Sequence, residues 1–315
     1  MKIAVCVCTF RNPVGLSKLL KGIDAQELNA VLEKDISIVV IDNDAEESAT
    51  EVLAAYGRTG RFNLFAQCQS RRGLSSARNT ALDNIHVRES DIFVFIDDDE
   101  IPEMGWVEAF AGPFNAGLCS IAVGPVKAIF EARPPEWIIA GDFFQRKCPE
   151  SQRPHDGYTS NCMIRTAILR QTGIRFEESL NHIGGEDVLF FSRLRDVGFN
   201  VRCLPDAIVR ETIPANRASL VWLMRRWLRA GITSATVKNR SRSASCAMVL
   251  NLCGGLSRVI VGTGRTIIIA VLRCRTDISP AVLSFATVCR GIGMLMAAFG
   301  GSYEEYGSSY RPKSK

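Results

Sequence analysis

The sequence lacks most of the patterns on which metal-stapled and disulfide-stapled scaffolds depend. Its eleven cysteines are an odd number and include no Cys-x-x-Cys pair. It has only three histidines, and His155 and His182 stand in no metal-ligand spacing. A zinc site and a disulfide framework are therefore excluded as organising devices. Cys6 and Cys8 fall on one face of an apolar run and read as small hydrophobes in a reducing compartment. No internal repeat or low-complexity tract is present. The opening run, MKIAVCVCTF, reaches Thr9, Arg11 and Asn12 without a cleavage signature. It reads as a first core strand rather than a signal peptide, and the expected location is cytoplasmic.

Acids are nearly absent from the last third. Residues 218–315 hold 14 Lys and Arg against three acids (Asp277, Glu304 and Glu305), a net +11. Residues 1–217 hold 24 against 30, a net −6, so the overall +5 hides an acidic front and a basic back. A basic segment could meet nucleic acid or anionic lipid. The aliphatic content of this one favours lipid, and nucleic acid is not an expected partner. At 315 residues, 47% hydrophobic and 23% charged, the chain is long enough for one large α/β domain with an appendage.

The first two hundred residues alternate as strand and helix. IAVCVCTF (3–10), ISIVVIDND (36–44), FNLFAQ (62–67) and IFVFID (92–97) are apolar runs bounded by turn residues. Helical patterns at 14–32, 47–56 and 75–85 separate them. This spacing predicts a mostly parallel sheet covered on both faces. In such sheets ligands bind at the carboxyl ends of the strands, where Thr9, Asp42 and Asp97 fall. Further strands are expected at 121–130 and 158–165, with a Pro-rich aromatic loop from Arg133 to Pro154 between them. GGEDVLFFSRLRDVGF (184–199) reads as a glycine turn followed by a helix.

Directly behind the fourth strand stand Asp97, Asp98, Asp99 and Glu100. Close carboxylate pairs repel by about 1 kcal/mol or more at surface-like dielectric. A hard divalent cation, Mg²⁺ or Mn²⁺, would relieve that repulsion and complete its shell with phosphate oxygens, so a diphosphate is the expected ligand. An acidic turn capping the next helix is the other reading of the same four residues.

CTFRNP, VIDND, GLSSARN, FIDDDE and GGED occur in that order, and the series resembles family 2 glycosyltransferases of GT-A fold over about residues 1–215. IDNDAEESA, ARNTALDN, DDDEIPEMGW, GPVKAIF and IPANRASLVWL extend the resemblance to bacterial glucosyltransferases of exopolysaccharide synthesis, which add glucose to a lipid-linked oligosaccharide. The resemblance implies a DxD pair in Asp97 and Asp99. Asp99 would bind the metal, and Asp97 the ribose or the metal. Asp98 would face the donor sugar. Asp42 would contact uracil and ribose, beside Asn43 where many relatives have a second acid. Thr9 and Arg11 would shape the base pocket, and Arg78 and Asn79 would flank the nucleotide. The ED motif falls on Glu186 and Asp187, which makes Asp187 the general base and Glu186 a group that orients the acceptor. Gly184 and Gly185 would let the acceptor approach the backbone. Trp137, with Phe143 and Phe144, is either an acceptor platform or core. Inversion is the implied stereochemistry. A nucleotide-binding membrane scaffold without catalysis is the rival from another class. A sugar nucleotidyltransferase is the rival enzyme, but TFRNPVG is a poor substitute for the Gly-rich loop such enzymes carry after the first strand.

ASLVWLMRRWLRAG (218–231) places Leu220, Leu223, Met224, Trp227 and Leu228 on one stripe, bordered by Arg225, Arg226 and Arg229. That pattern suits a helix lying in the headgroup region, or one packed on the catalytic domain. Processive relatives often carry QxxRW here. Leu223 stands in place of the Gln, which argues against a polymerising enzyme. Residues 246–274 and 279–300 are apolar but broken by Arg258, Arg265, Arg273 and Arg290. Monotopic association with the inner face of the membrane is therefore expected, with one span as the lesser alternative. The expected architecture is α/β: a Rossmann-like, mostly parallel sheet flanked by helices. Residues 1–215 form its catalytic domain (a nucleotide half, 1–100, and an acceptor half, 101–215). A helical membrane-associating region follows at 216–300, then a polar tail at 301–315.

Overall fold

The computed structural model describes residues 1–148, 157–181, 183–239, 242–273 and 277–301. His155, His182 and nearly all of the expected polar tail lie outside the described residues.

Four apolar runs form the parallel heart of the molecule: β1 (Ile3–Thr9), β2 (Ile36–Asp42), β3 (Asn63–Cys68) and β4 (Ile92–Asp97). β1 lies between β2 and β4 and is parallel to both, so the chain order reverses across it. Val5, Cys6 and Val7 are fully buried, as a central strand covered by helices on both faces requires. The helices returning between these strands are α1 (Pro13–Asp24), α2 (Thr50–Thr59), α3 (Leu74–Asp83) and the single turn α4 (Ile85–Arg88).

After β4 the chain makes β5 (Glu100–Pro102), α5 (Trp106–Asn115), β6 (Ile121–Val123), β7 (Val126–Phe130), α6 (Glu136–Gly141), β8 (Asn161–Arg165), α7 (Thr166–Thr172), α8 (Glu186–Asp196), β9 (Arg202–Cys203) and β10 (Val209–Ile213). The main sheet runs β3-β2-β1-β4-β8-β6-β9, with β8 antiparallel to both its neighbours. A second sheet, β5-β10-β7, stands beside it. The single strand expected over 121–130 is thus two strands in two sheets. Pro125 carries no N–H for a ladder, and the chain leaves the main sheet at that point. α5 and α8 contribute the largest side chains of the core, with Trp106, Phe110, Phe114, Phe190 and Phe191 almost wholly buried.

Three long helices end the described chain: α9 (Leu220–Lys238), α10 (Ala244–Arg273) and α11 (Ser279–Ala298). α11 packs between the other two. Gly231 of α9 abuts the backbone of Arg290, and Gly293 of α11 abuts that of Leu228. Small residues at these crossings let the backbones touch, as in close-packed apolar helix pairs. α9 and α11 share a second core, with Leu223, Trp227 and Cys289 packed against Ile138 and Phe144. α10 lies outermost. α10 and α11 are both long and apolar enough to cross a membrane, with mean hydropathies of 1.6 and 1.7.

The cysteines depart from expectation at one point. Cys148 and Cys203 form a disulfide across 55 residues. That separation carries no spacing signal, and only the folded arrangement brings the end of β9 to Cys148. Eight other described cysteines are free thiols.

Candidate active site

The carboxyl ends of β1, β2 and β4 converge where the strand order reverses, the usual place for a ligand crevice in such sheets. The Thr9 hydroxyl donates to Asp98 Oδ2 at 2.7 Å, and Asn12 Nδ2 donates to the Asp98 carbonyl at 3.4 Å. Asp98 therefore fastens the end of β4 to the end of β1. Asp97 keeps 44% of its side-chain surface exposed, and Asp99 is also partly exposed. Burial holds the Asp97 carboxyl above its ordinary pKa, and Asp99 and Asp187 push it the same way against the pull of Arg78 and Arg146.

The expected nucleotide contacts are divided. Asp42 is buried, and both its oxygens accept backbone N–H bonds, from Asp44 at 3.1 Å and Ala49 at 2.9 Å. Burial raises its pKa in spite of those bonds. Asn43 Nδ2 donates to the carbonyls of Gln69 and Arg71 at 2.8 and 2.9 Å, and its Oδ1 accepts from Gly73 N at 2.7 Å. Its side chain thus holds the loop that leads into α3. Arg11 pairs with Asp44 at 3.0 Å and Glu46 at 3.2 Å. Asn79 exchanges two 2.9 Å bonds with the backbone of Phe176, so it pins the 176–178 segment.

Arg78 is 4% exposed and reaches two acids from different elements. Its Nη1 donates to Glu186 Oε1 at 2.6 Å, and its Nη2 lies 3.6 Å from Asp97 Oδ1. Burial works to lower its pKa, but Glu186 and Asp97 outweigh that and raise it. Glu186 is likewise buried, and burial lifts its pKa, with Asp187 adding to the rise and Arg78 opposing it. Asp187 stands next to it in the first turn of α8, partly exposed, with Oδ1 accepting from Val188 N at 2.7 Å. The DDD and ED motifs, about ninety residues apart in sequence, thus meet through one guanidinium.

The glycine turn and Trp137 both pack against neighbouring elements, and Trp137 takes the core alternative. Gly184 and Gly185 have φ of +82° and +89°, and the space above Gly185 is filled by Thr233 of α9. Trp137 packs on Phe143 at 5.7 Å, at the margin of the second core. Sequence reading missed two groups. Glu211 of β10 pairs directly across from buried Glu100, and burial raises the pKa of both. Arg146 donates to Ser160 Oγ at 2.9 Å and lies among Glu211, Glu100, Asp187 and Asp97. Neither had a signal, because both depend on the second sheet folding back beside the first.

Among the described residues no group of three or more His, Cys, Asp or Glu forms a ready-made metal cage. Asp97 and Asp99 nevertheless fit an open two-carboxylate site. They are mutually repelling and partly exposed at a strand end, where one or two protein ligands and substrate phosphates would suffice for Mg²⁺ or Mn²⁺.

A model described as "Glycosyl transferase family 2" matches residues 4–173. The succinoglycan biosynthesis protein ExoM of Rhizobium meliloti is 33% identical over 235 residues, 74% of each chain. The mannosyltransferase PcManGT of Pyrobaculum calidifontis, solved with GDP-Man and Mn²⁺, shares the fold at TM-score 0.62 and 16% identity, over 95% of this chain and 87% of its own. Staphylococcus aureus TarS 1-349, solved with UDP-GlcNAc, does so at TM-score 0.55 and 16% identity, over 99% and 98%.

Proposed function

The chain belongs to glycosyl transferase family 2, and we propose that it moves a hexose, glucose from UDP-glucose, onto a lipid-linked saccharide in exopolysaccharide synthesis. Residues 1–215 carry the chemistry. The single observation that supports the reading most strongly is the meeting of Asp97 with the Glu186–Asp187 turn through the Arg78 guanidinium. It supports a role for Asp97 on the diphosphate side and for the partly exposed Asp187 on the acceptor side.

In this reading Asp97 and Asp99 would hold a divalent cation, which would supply positive charge beside the diphosphate. Thr9 and the Asp42–Asp44 corner form the wall against the nucleoside. Asp187 accepts the proton of the acceptor hydroxyl as that oxygen bonds to the anomeric carbon. The bond from that carbon to the diphosphate breaks on the opposite face, UDP leaves, and the configuration inverts. The similarity to ExoM, a succinoglycan biosynthesis protein, supports a place in exopolysaccharide synthesis, and the UDP-GlcNAc bound to TarS supports a UDP-sugar donor. The apolar α10 and α11 support attachment to a membrane, where a lipid carrier would reside.

The test is transfer of labelled glucose from UDP-glucose to a membrane extract, by wild type and by Asp187→Asn. Removing the base should slow transfer by about 10²–10⁴-fold. Equal transfer by the two would remove Asp187 from the mechanism. UDP should raise the melting temperature in Mn²⁺ and fail to do so with chelator. A stabilisation indifferent to chelator would count against a metal at Asp97 and Asp99.

A further inference from the structure

Arg78 matches a helix expected to flank the nucleotide, yet its surroundings leave it little to offer one. It is 4% exposed, and both ends of its guanidinium are directed at carboxylates of this chain. One face lies over the ring of Phe176, 5.5 Å from the centroid, and Phe176 stacks on Phe190 of α8 at 4.2 Å. The helix that carries it is fixed at both ends of the relevant stretch. Asn43 Oδ1 holds Gly73 N at 2.7 Å. Asn181 bonds Ser76 through N–H and hydroxyl at 3.0 and 2.8 Å. Asn79 holds Phe176.

We propose that Arg78 is a positioning residue: a buried fork that sets the distance between Asp97 at the end of β4 and the Glu186–Asp187 turn of α8. Its planar guanidinium reaches two acids in a fixed geometry, which a lysine ammonium cannot do from one rotamer. It acts through Glu186, which is joined to Asp187 by the first turn of α8, so the distance from donor to base depends on it. Misplacement by 1 Å in such an arrangement costs about 10²-fold in rate. The proposal rests on the transferase reading.

Three variants test it: Arg78→Lys, Arg78→Met, and Arg78→Met combined with Glu186→Gln. The double variant removes both members of the closest ion pair and leaves the net charge unchanged, so it reports on position even where Arg78→Met folds poorly. UDP affinity is measured by calorimetry with and without Mn²⁺, alongside kcat and KM for the UDP-sugar and the melting temperature. Arg78→Met and the double variant should lose about 10²-fold in kcat with UDP affinity unchanged. Arg78→Lys should recover part of that loss. Two results would overturn the proposal: UDP affinity falling in all three variants, which would make Arg78 a nucleotide ligand, or wild-type kcat in the double variant. A wild-type protein that binds UDP but transfers from no UDP-sugar would remove the transferase reading alone. The UDP affinities would still decide the question for Arg78, since a fall in all three variants overturns the positioning role and constancy supports it.

Discussion

Thr233 of α9 rests on Gly185 so closely that a β-carbon there would stand 2.1 Å from its Cγ2. The contact joins the Glu186–Asp187 turn of α8 to the helical region that follows the two sheets. Gly185 also has φ of +89°, a conformation that side chains resist. Gly185→Ala should therefore destabilise the protein on two counts: roughly 1–2 kcal/mol from the left-handed backbone and about 1–3 kcal/mol from overpacking. Transfer should fall with it, since Asp187 moves. Adding Thr233→Ala should return the packing share and leave the backbone share. Urea titration of the single and double variants checks this, and a single variant as stable as wild type would refute it.

Asn43 supplies a second expectation that differs from its family reading. Its amide satisfies two carbonyls and one N–H of the 69–73 loop. Asn43→Ala leaves all three without that partner, at roughly 1–3 kcal/mol for each group that water cannot reach. Asn43→Asp should be worse than Ala, because a carboxylate would face two carbonyl oxygens. Thermal melts rank the three proteins. Asp more stable than Ala would show that the side chain points elsewhere.

These two residues mark the boundary of what the sequence could tell. Continuous apolar runs such as ISIVVID predict buried parallel strands, and β1, β2 and β4 lie where the runs do. The acids after β4 and at the start of α8 were legible as a pair of motifs. Their meeting through Arg78 was not, because nothing in GLSSARN says which way the guanidinium turns. Asn43, Asn79 and Asp98 look like ligand contacts in one dimension. In the fold they bond to backbone or to Thr9, since a crevice built from loops must first satisfy the loops' own polar groups. The break at Pro125 was visible as a residue, but its consequence, a second sheet carrying Glu211, depended on β10 returning between β5 and β7.

Glu108 gives a pH dependence with a definite sign. Its Oε1 accepts three N–H bonds from Asn29, Ala30 and Val31 at 2.7, 2.8 and 3.0 Å. Partial burial works to raise its pKa, but the three donors outweigh it and hold the carboxyl below its ordinary value of 4.5. A depressed acid contributes stability above its unfolded pKa and loses it as pH falls through the folded one. Glu108→Gln keeps an acceptor oxygen but no charge. It should cost about 1 kcal/mol at pH 7, the difference between charge-assisted and neutral bonds at a partly exposed site. Below the ordinary carboxylate range the gap should close. Denaturant midpoints at pH 7 and pH 3 test this, and a gap that widened in acid would contradict it.

The outer face of α10 carries the last prediction. Ile260, Ile267, Val271 and Leu272 are more than half exposed, Leu272 at 76%, with Arg258 and Arg265 exposed on the same helix. At about 1.5 Å per residue this 30-residue helix is longer than the hydrocarbon layer is thick, roughly 30 Å. The four side chains gain roughly 1.5–3 kcal/mol each when fully buried in an apolar phase, and the arginines gain further from anionic lipid. Replacing the four with Ser should lower binding to phosphatidylglycerol vesicles by well over tenfold, because even half of that burial energy is about 3–6 kcal/mol, at least twice the roughly 1.4 kcal/mol of a tenfold change. High salt should weaken wild-type binding without abolishing it, since only the arginine share is screened. The UDP-induced melting shift should stay as it was, because α10 packs on α11 rather than on the sheet that forms the crevice. Unchanged vesicle binding combined with a smaller oligomer in solution would instead assign this face to a second copy of the chain.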